Sequence, residues 1–90
     1  MKAVPIQQAT KLTDIPGVGK SIAVDLASLG YSQPSDLKGQ NPEAMYERLM
    51  AQAGDHVDRC ILYVFRSAVY YASTVKPDPD KLLWWSHKDN

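Results

Sequence analysis

The chain has 90 residues, 44% hydrophobic and 22% charged, an ordinary composition for one small globular domain with a core of its own. Ten Lys and Arg balance ten Asp and Glu, which excludes a protein that coats nucleic acid by bulk charge, because that affinity requires several neutralised phosphates. A single cysteine (Cys60) excludes an internal disulfide, and neither a leader-like start nor a bilayer-length apolar run is present, so a cytoplasmic protein without a membrane partner is expected.

Strand-like alternation is nearly absent, and helical spacing recurs along the chain. A first short helix is expected over about Ile6 to Thr13, with Ala9, Leu12 and Ile15 on one side, ended by Pro16. After a Gly17-Val18-Gly19 turn, a second helix over about Gly19 to Leu29 places Ile22, Ala23, Leu26 and Leu29 on one face, and Gly30 stops it. Ser32 to Gln40 reads as a connector with one helical turn around Ser35 to Lys38. Asn41-Pro42-Glu43 is a strong helix start: a capping side chain, proline at the first position and an acid near the positive dipole end.

This third helix carries Met45, Tyr46, Leu49, Met50 and Ala53 inward and stops at Gly54. Asp55 is expected to cap the longest helix, about His56 to Thr74, with Asp58 completing a capping box. Its core stripe reads Val57, Cys60, Ile61, Val64, Phe65, Ala68, Val69 and Ala72. The apolar tail around Trp84 and Trp85 is expected to fold back onto the bundle. A faint internal echo, helix, glycine turn, helix, occurs around Gly17 and again around Gly54.

The segment Ile15-Pro16-Gly17-Val18-Gly19-Lys20 concentrates the chemistry. A glycine-rich turn that opens a helix exposes backbone amides at the positive dipole end, where an anion such as phosphate is favoured. Gly19-Lys20-Ser21 superficially matches the end of a P-loop, but that motif needs a glycine at the position of Asp14 and a strand before it, so nucleotide hydrolysis is excluded. The turn is either a phosphate contact or a plain helix-to-helix connection, with Asp14 and Asp25 favouring the latter.

Arg59, Tyr63, Arg66 and Tyr70 form a second feature, a stripe of alternating cations and rings on the last helix. Such a stripe suits a nucleic-acid strand or a protein partner. Alternatively, the tyrosines cover the bundle rim and the arginines pair with Asp55, Asp58 or C-terminal acids. His56 and Cys60 lie one turn apart, but two ligands are too few for structural zinc. No catalytic constellation emerges, and no enzyme is expected.

The frame L-x-x-I-P-G-V-G-K-x-x-A-x-x-L-x-x-L-G, from Leu12 to Gly30, resembles a helix-hairpin-helix motif. The resemblance implies phosphate contacts by Gly17, Val18, Gly19, Lys20 and Ser21, and a monovalent cation at the carbonyls of Ile15, Gly17 and Gly19. Further along stand Asp36-Leu37-Lys38-Gly39, Pro42-Glu43, Tyr46-Glu47-Arg48, Asp58-Arg59-Cys60, Leu62 to Arg66, and Lys81-Leu82-Leu83-Trp84-Trp85. With these the chain, from Leu12 to Asp89, resembles a small bacterial family of pathogenicity-locus (Cdd) proteins, some labelled mitomycin-resistance proteins. That resemblance implies a stand-alone helical protein with a link to DNA damage or virulence.

The expected architecture is one all-α domain over residues 1–90, a bundle of four to five helices. It comprises an intact hairpin at about 12–30, a degenerate unit at about 41–74 and a Trp-containing tail at 76–90. The expected function is weak, sequence-independent DNA binding through the hairpin. The alternative is an adaptor that captures a protein through the Arg/Tyr stripe and the Trp tail.

Overall fold

Three α-helices and two short 3-10 turns make up residues 10–74, which, with residue 87, are the part that the computed structural model describes. Among these residues there is no strand, and the fold is all-α. A first 3-10 turn, Leu12–Asp14, leads into α1, Lys20–Ser28. A second, Pro34–Leu37, leads into α2, Pro42–Ala53, and α3 spans Arg59–Ser73. No helix among the described residues is long and apolar enough to cross a membrane.

The local sequence explains the boundaries. Asn41 caps α2, its side-chain oxygen accepting from the amides of Glu43 (2.9 Å) and Ala44 (3.2 Å). Gly54 takes the left-handed conformation and donates to the Met50 carbonyl, closing the last turn. Following α2 backwards follows α3 forwards. Tyr46 donates its hydroxyl to the Val57 carbonyl, Glu43 meets Arg66, and the Gly39 amide donates to the Ser73 hydroxyl. The two helices are therefore antiparallel about the Gly54 turn.

The core gathers on α3, where Leu62, Val64, Phe65, Ala68, Tyr71 and Ala72 are buried against Leu26, Leu37, Met45 and Leu49. Ile15 and Val18, inside the glycine turn, are also buried, so the turn is anchored by its own apolar side chains.

Several expectations are corrected. Residues 6–9 of the expected first helix lie outside the described residues, and in its described part Leu12–Asp14 form a 3-10 turn rather than an α-helix. The last helix starts three residues later than expected: Asp58, not Asp55, is its cap, accepting from the Cys60 amide at 2.8 Å. Asp55 accepts instead from the neighbouring His56 amide (2.7 Å), which leaves His56 to Asp58 outside the helix. Cys60 consequently falls in an exposed first turn rather than the core, and Val57, Ile61 and Val69 are only half-buried. The core stripe is rotated toward Leu62, Ser67 and Tyr71. Ala53, expected inward, is exposed in the last turn of α2. The expectation for Trp84 and Trp85 lies outside the described residues.

A closer repeat than the echo at Gly54 appears in the backbone. Thr10–Gly17 and Ser32–Gly39 lie 22 positions apart and fold alike. Asp14 accepts from the amides of Thr10 and Lys11, and Asp36 from those of Ser32 and Gln33. The Val18 amide donates to the Ile15 carbonyl at 3.0 Å, and the Gln40 amide to the Leu37 carbonyl at 3.1 Å. Gly17 and Gly39 both have positive φ, +85° and +75°, a conformation that side chains oppose. Each loop then enters a helix, at Lys20 and at Pro42. The shared pattern, Ser/Thr-x-x-Ser/Thr-Asp-apolar-x-Gly, is written in the sequence.

Candidate functional site

The repeat isolates one difference. At the second loop the capping position is Asn41, whose side chain occupies the amides at the start of α2. At the first loop the equivalent position is Gly19, and no side chain caps α1. The first helical bond of α1 runs from the Ala23 amide to the Gly19 carbonyl (2.9 Å), so the amides of Lys20, Ser21 and Ile22 precede the ladder. There is no acidic residue in the first turn of α1 either. Lys20 and Ser21 are exposed beside these amides. The arrangement is chemically suited to an anion: oriented N–H donors, the positive end of a helix and a cation within the same turn.

Gly17 and Gly19 play different parts. Gly17 needs its positive φ for the turn. Gly19 is extended (φ −89°, ψ −174°), and a Cβ there would meet nothing within 4 Å. Backbone geometry therefore does not require glycine at position 19; its effect is to leave the amides uncovered. The Val18 side chain is buried and its amide donates to the Ile15 carbonyl, so that amide is engaged within the turn. Of the carbonyls expected to hold a cation, that of Ile15 accepts from Val18 and that of Gly19 from Ala23, leaving one lone pair on each. Asp14 turns its carboxylate to the amides of Lys11 and Thr10, which in that order hold its pKa below the ordinary range. Its charge is thus engaged in shaping the loop.

The Arg/Tyr stripe is not a bare face. Arg66 donates through Nε to Glu43 Oε1 at 2.9 Å, and its Nη2 lies 2.8 Å from the same oxygen. Its Nη1 donates to the His87 carbonyl (2.6 Å), and its guanidinium lies 5.7 Å from the centre of the Tyr63 ring. Tyr70 and His87 stand with ring centres 6.0 Å apart. Glu43 pairs with Arg66 because the antiparallel pairing sets the start of α2 beside the middle of α3; the C-terminal acids named among the expected partners lie outside the described residues. Arg59 is exposed at the start of α3. Among the described residues no three His, Cys, Asp or Glu side chains gather as a metal site.

Fold and site together define a small all-α protein whose α1 opens on uncapped amides after a glycine turn. The chain belongs to the pathogenicity locus family (Cdd1), whose family model matches residues 5–90. It is similar to the mitomycin resistance protein McrB of Streptomyces lavendulae, with 32% identity over 76 residues, covering 84% of this chain and 69% of that protein. No solved structure matches the chain.

Proposed function

We propose that this is a non-enzymatic protein that binds the DNA backbone weakly and without sequence preference, using the Gly17–Ser21 turn as a helix-hairpin-helix contact. The observation that carries this reading is Asn41. Its Oδ1 bridges the amides of Glu43 and Ala44, the counterparts of Ser21 and Ile22 in the other loop. A phosphate oxygen placed likewise on the Ser21 and Ile22 amides would complete α1 as Asn41 completes α2, with Lys20 supplying positive charge. Backbone amides meeting phosphate position a duplex but read no bases. The zero net charge keeps such binding local and weak. A link to DNA damage or repair belongs to the same proposal, in keeping with the resistance named for the Streptomyces relative.

The test is an amide-resolved NMR titration with a short DNA duplex at low and moderate salt. Shifts should concentrate at residues 19–22, and the dependence of log affinity on log salt should have a slope of about −2 for two phosphate contacts. Lys20→Glu should abolish the response while leaving the spectrum folded. Shifts confined to α3, or none at low salt, would overturn the reading.

A further inference from the structure

The two loops of the repeat differ in where they carry charge. Superposing Thr10–Gly17 on Ser32–Gly39 sets Pro16 against Lys38 and Lys20 against Pro42, so proline and lysine have exchanged places about the glycine. Both lysines are exposed. Both loops also reach the last turn of α3. The Gly39 amide donates to the Ser73 hydroxyl at 3.0 Å, and the Tyr71 phenol, shifted first by burial, feels the charge of Asp14. Arg48 and Gln52, in the half of α2 beside the start of α3, hold the other end of α1 at Leu29 and Ser28. The start of α1 therefore lies toward the end of α3, on the same side of the molecule as Lys38. Among the described residues the other Lys and Arg side chains are engaged or distant. Arg48 bonds the Leu29 carbonyl, Arg66 is paired with Glu43, and Arg59 opens α3 about 20 Å along the helix from Ser73. Lys11 lies beside the Asp14 carboxylate, which the amides of Lys11 and Thr10 hold first and the Lys11 charge after them.

We propose that Lys38 is a second phosphate contact, so that the two copies of the loop hold one duplex backbone at two points. The first acts through the α1 amides and Lys20, the second through a side chain alone; this contact rests on the hairpin reading. Asn41 already fills the amides at the start of α2, so the second loop meets a phosphate through its exposed ammonium instead. An ammonium on a flexible stem pairs with phosphate as a point charge and needs no fixed geometry. Each neutralised phosphate adds close to −1 to the dependence of log affinity on log salt, so a slope of about −2 requires a second cation besides Lys20.

The experiment titrates the full chain and its Lys38→Gln variant with a short DNA duplex across a salt series, followed by amide-resolved NMR. The substitution removes the charge of an exposed side chain and nearly keeps its length. In the parent protein a smaller set of shifts at residues 38–40 should accompany those at 19–22, with a slope of about −2. Lys38→Gln should keep the shifts at 19–22, lower the slope to about −1 and weaken binding about five- to tenfold at low salt. Inorganic phosphate, too small to span both loops, should shift residues 19–22 equally in the two proteins. Lys11→Gln should leave the slope near −2; a slope lowered there instead would overturn the assignment to Lys38. A slope that stays near −2 in Lys38→Gln while residues 19–22 still respond would overturn the second contact and leave the hairpin reading standing. A parent protein whose residues 19–22 do not respond to the duplex would overturn the hairpin reading, and this contact with it.

Discussion

Arg48, in the middle of α2, donates Nη2 to the Leu29 carbonyl at 2.7 Å and so caps the C-terminal end of α1 from a neighbouring helix. The same guanidinium reaches the Tyr31 hydroxyl at 3.3 Å and lies 5.9 Å from the centre of that ring. A cation at a helix C-terminus satisfies a carbonyl the helix leaves open and sits at the negative end of the dipole. Arg48→Ala should therefore cost about 1 kcal/mol, below the range of about 1.5–3 for a hydrogen bond to a charged group because the site is partly solvated. For a domain of this size that lowers Tm by roughly 4–8 °C in a thermal melt. Arg48→Lys should recover only part of it, since one ammonium does not reproduce the planar fork.

The two glycines of the first loop should separate stability from binding. Gly17→Ala places a side chain at positive φ and should cost about 1–2 kcal/mol in urea denaturation. Gly19→Asn meets no steric obstacle and introduces the cap that Asn41 supplies to α2. It should leave stability unchanged or raise it by a few tenths of a kcal/mol, yet abolish DNA binding by occupying the Ser21 and Ile22 amides. A Gly19→Asn protein that still bound DNA would show that those amides are not the contact.

Asn41→Ala is the reciprocal experiment. It strips the cap from α2 and should cost about 1 kcal/mol by calorimetry or urea titration. DNA binding through α1 should be unaffected at temperatures where the variant is folded. A stability loss well below this value would mean that water replaces the cap without penalty.

Legibility followed the range of the forces involved. The boundaries of α1 and α2 could be read from Gly30, Asn41, Pro42 and Gly54, because caps and stops act within a few residues. The start of α3 differs because Asp55 and Asp58 are equally good caps in isolation, and the Val57 carbonyl between them accepts from the Tyr46 hydroxyl of α2, a contact that the local sequence does not reveal. The buried face of α3, with Leu62, Ser67 and Tyr71 in and Cys60 out, is set by its packing on α2 and the second 3-10 turn, which helical spacing alone does not fix. Part of the candidate site was visible as a glycine pattern. The different roles of Gly17 and Gly19 were not, since they depend on φ values that a repeated residue type does not reveal. The contact of Arg66 with Glu43 is not legible in the sequence, because it arises from the antiparallel register of α2 on α3. The repeat of Thr10–Gly17 in Ser32–Gly39 was present in the letters but hidden by its polar composition.

The dependence of stability on pH should come from carboxylates that hold backbone amides. The Lys11 amide first and that of Thr10 lower the pKa of Asp14, that of Ser32 chiefly lowers that of Asp36, and that of Cys60 lowers that of Asp58. A carboxylate whose folded pKa lies below its unfolded value contributes stability above the unfolded value, about 3.9, and loses it as pH falls through the folded one. The protein should therefore hold a constant urea midpoint from neutral pH to about pH 5 and lose stability progressively below about pH 4. Tyr71 acts at the other limit. Burial, and then the charge of Asp14, push its phenol pKa up, so its contribution is complete below the ordinary tyrosine value of about 10 and disappears as pH rises through the elevated one. Replacing Asp14, Asp36 and Asp58 together by Asn should lower stability at pH 7 and flatten the acid limb, and Tyr71→Phe should flatten the alkaline limb alone. An acid limb that kept its slope in the triple variant would assign acid unfolding to other carboxylates and remove these three loop anchors from the account.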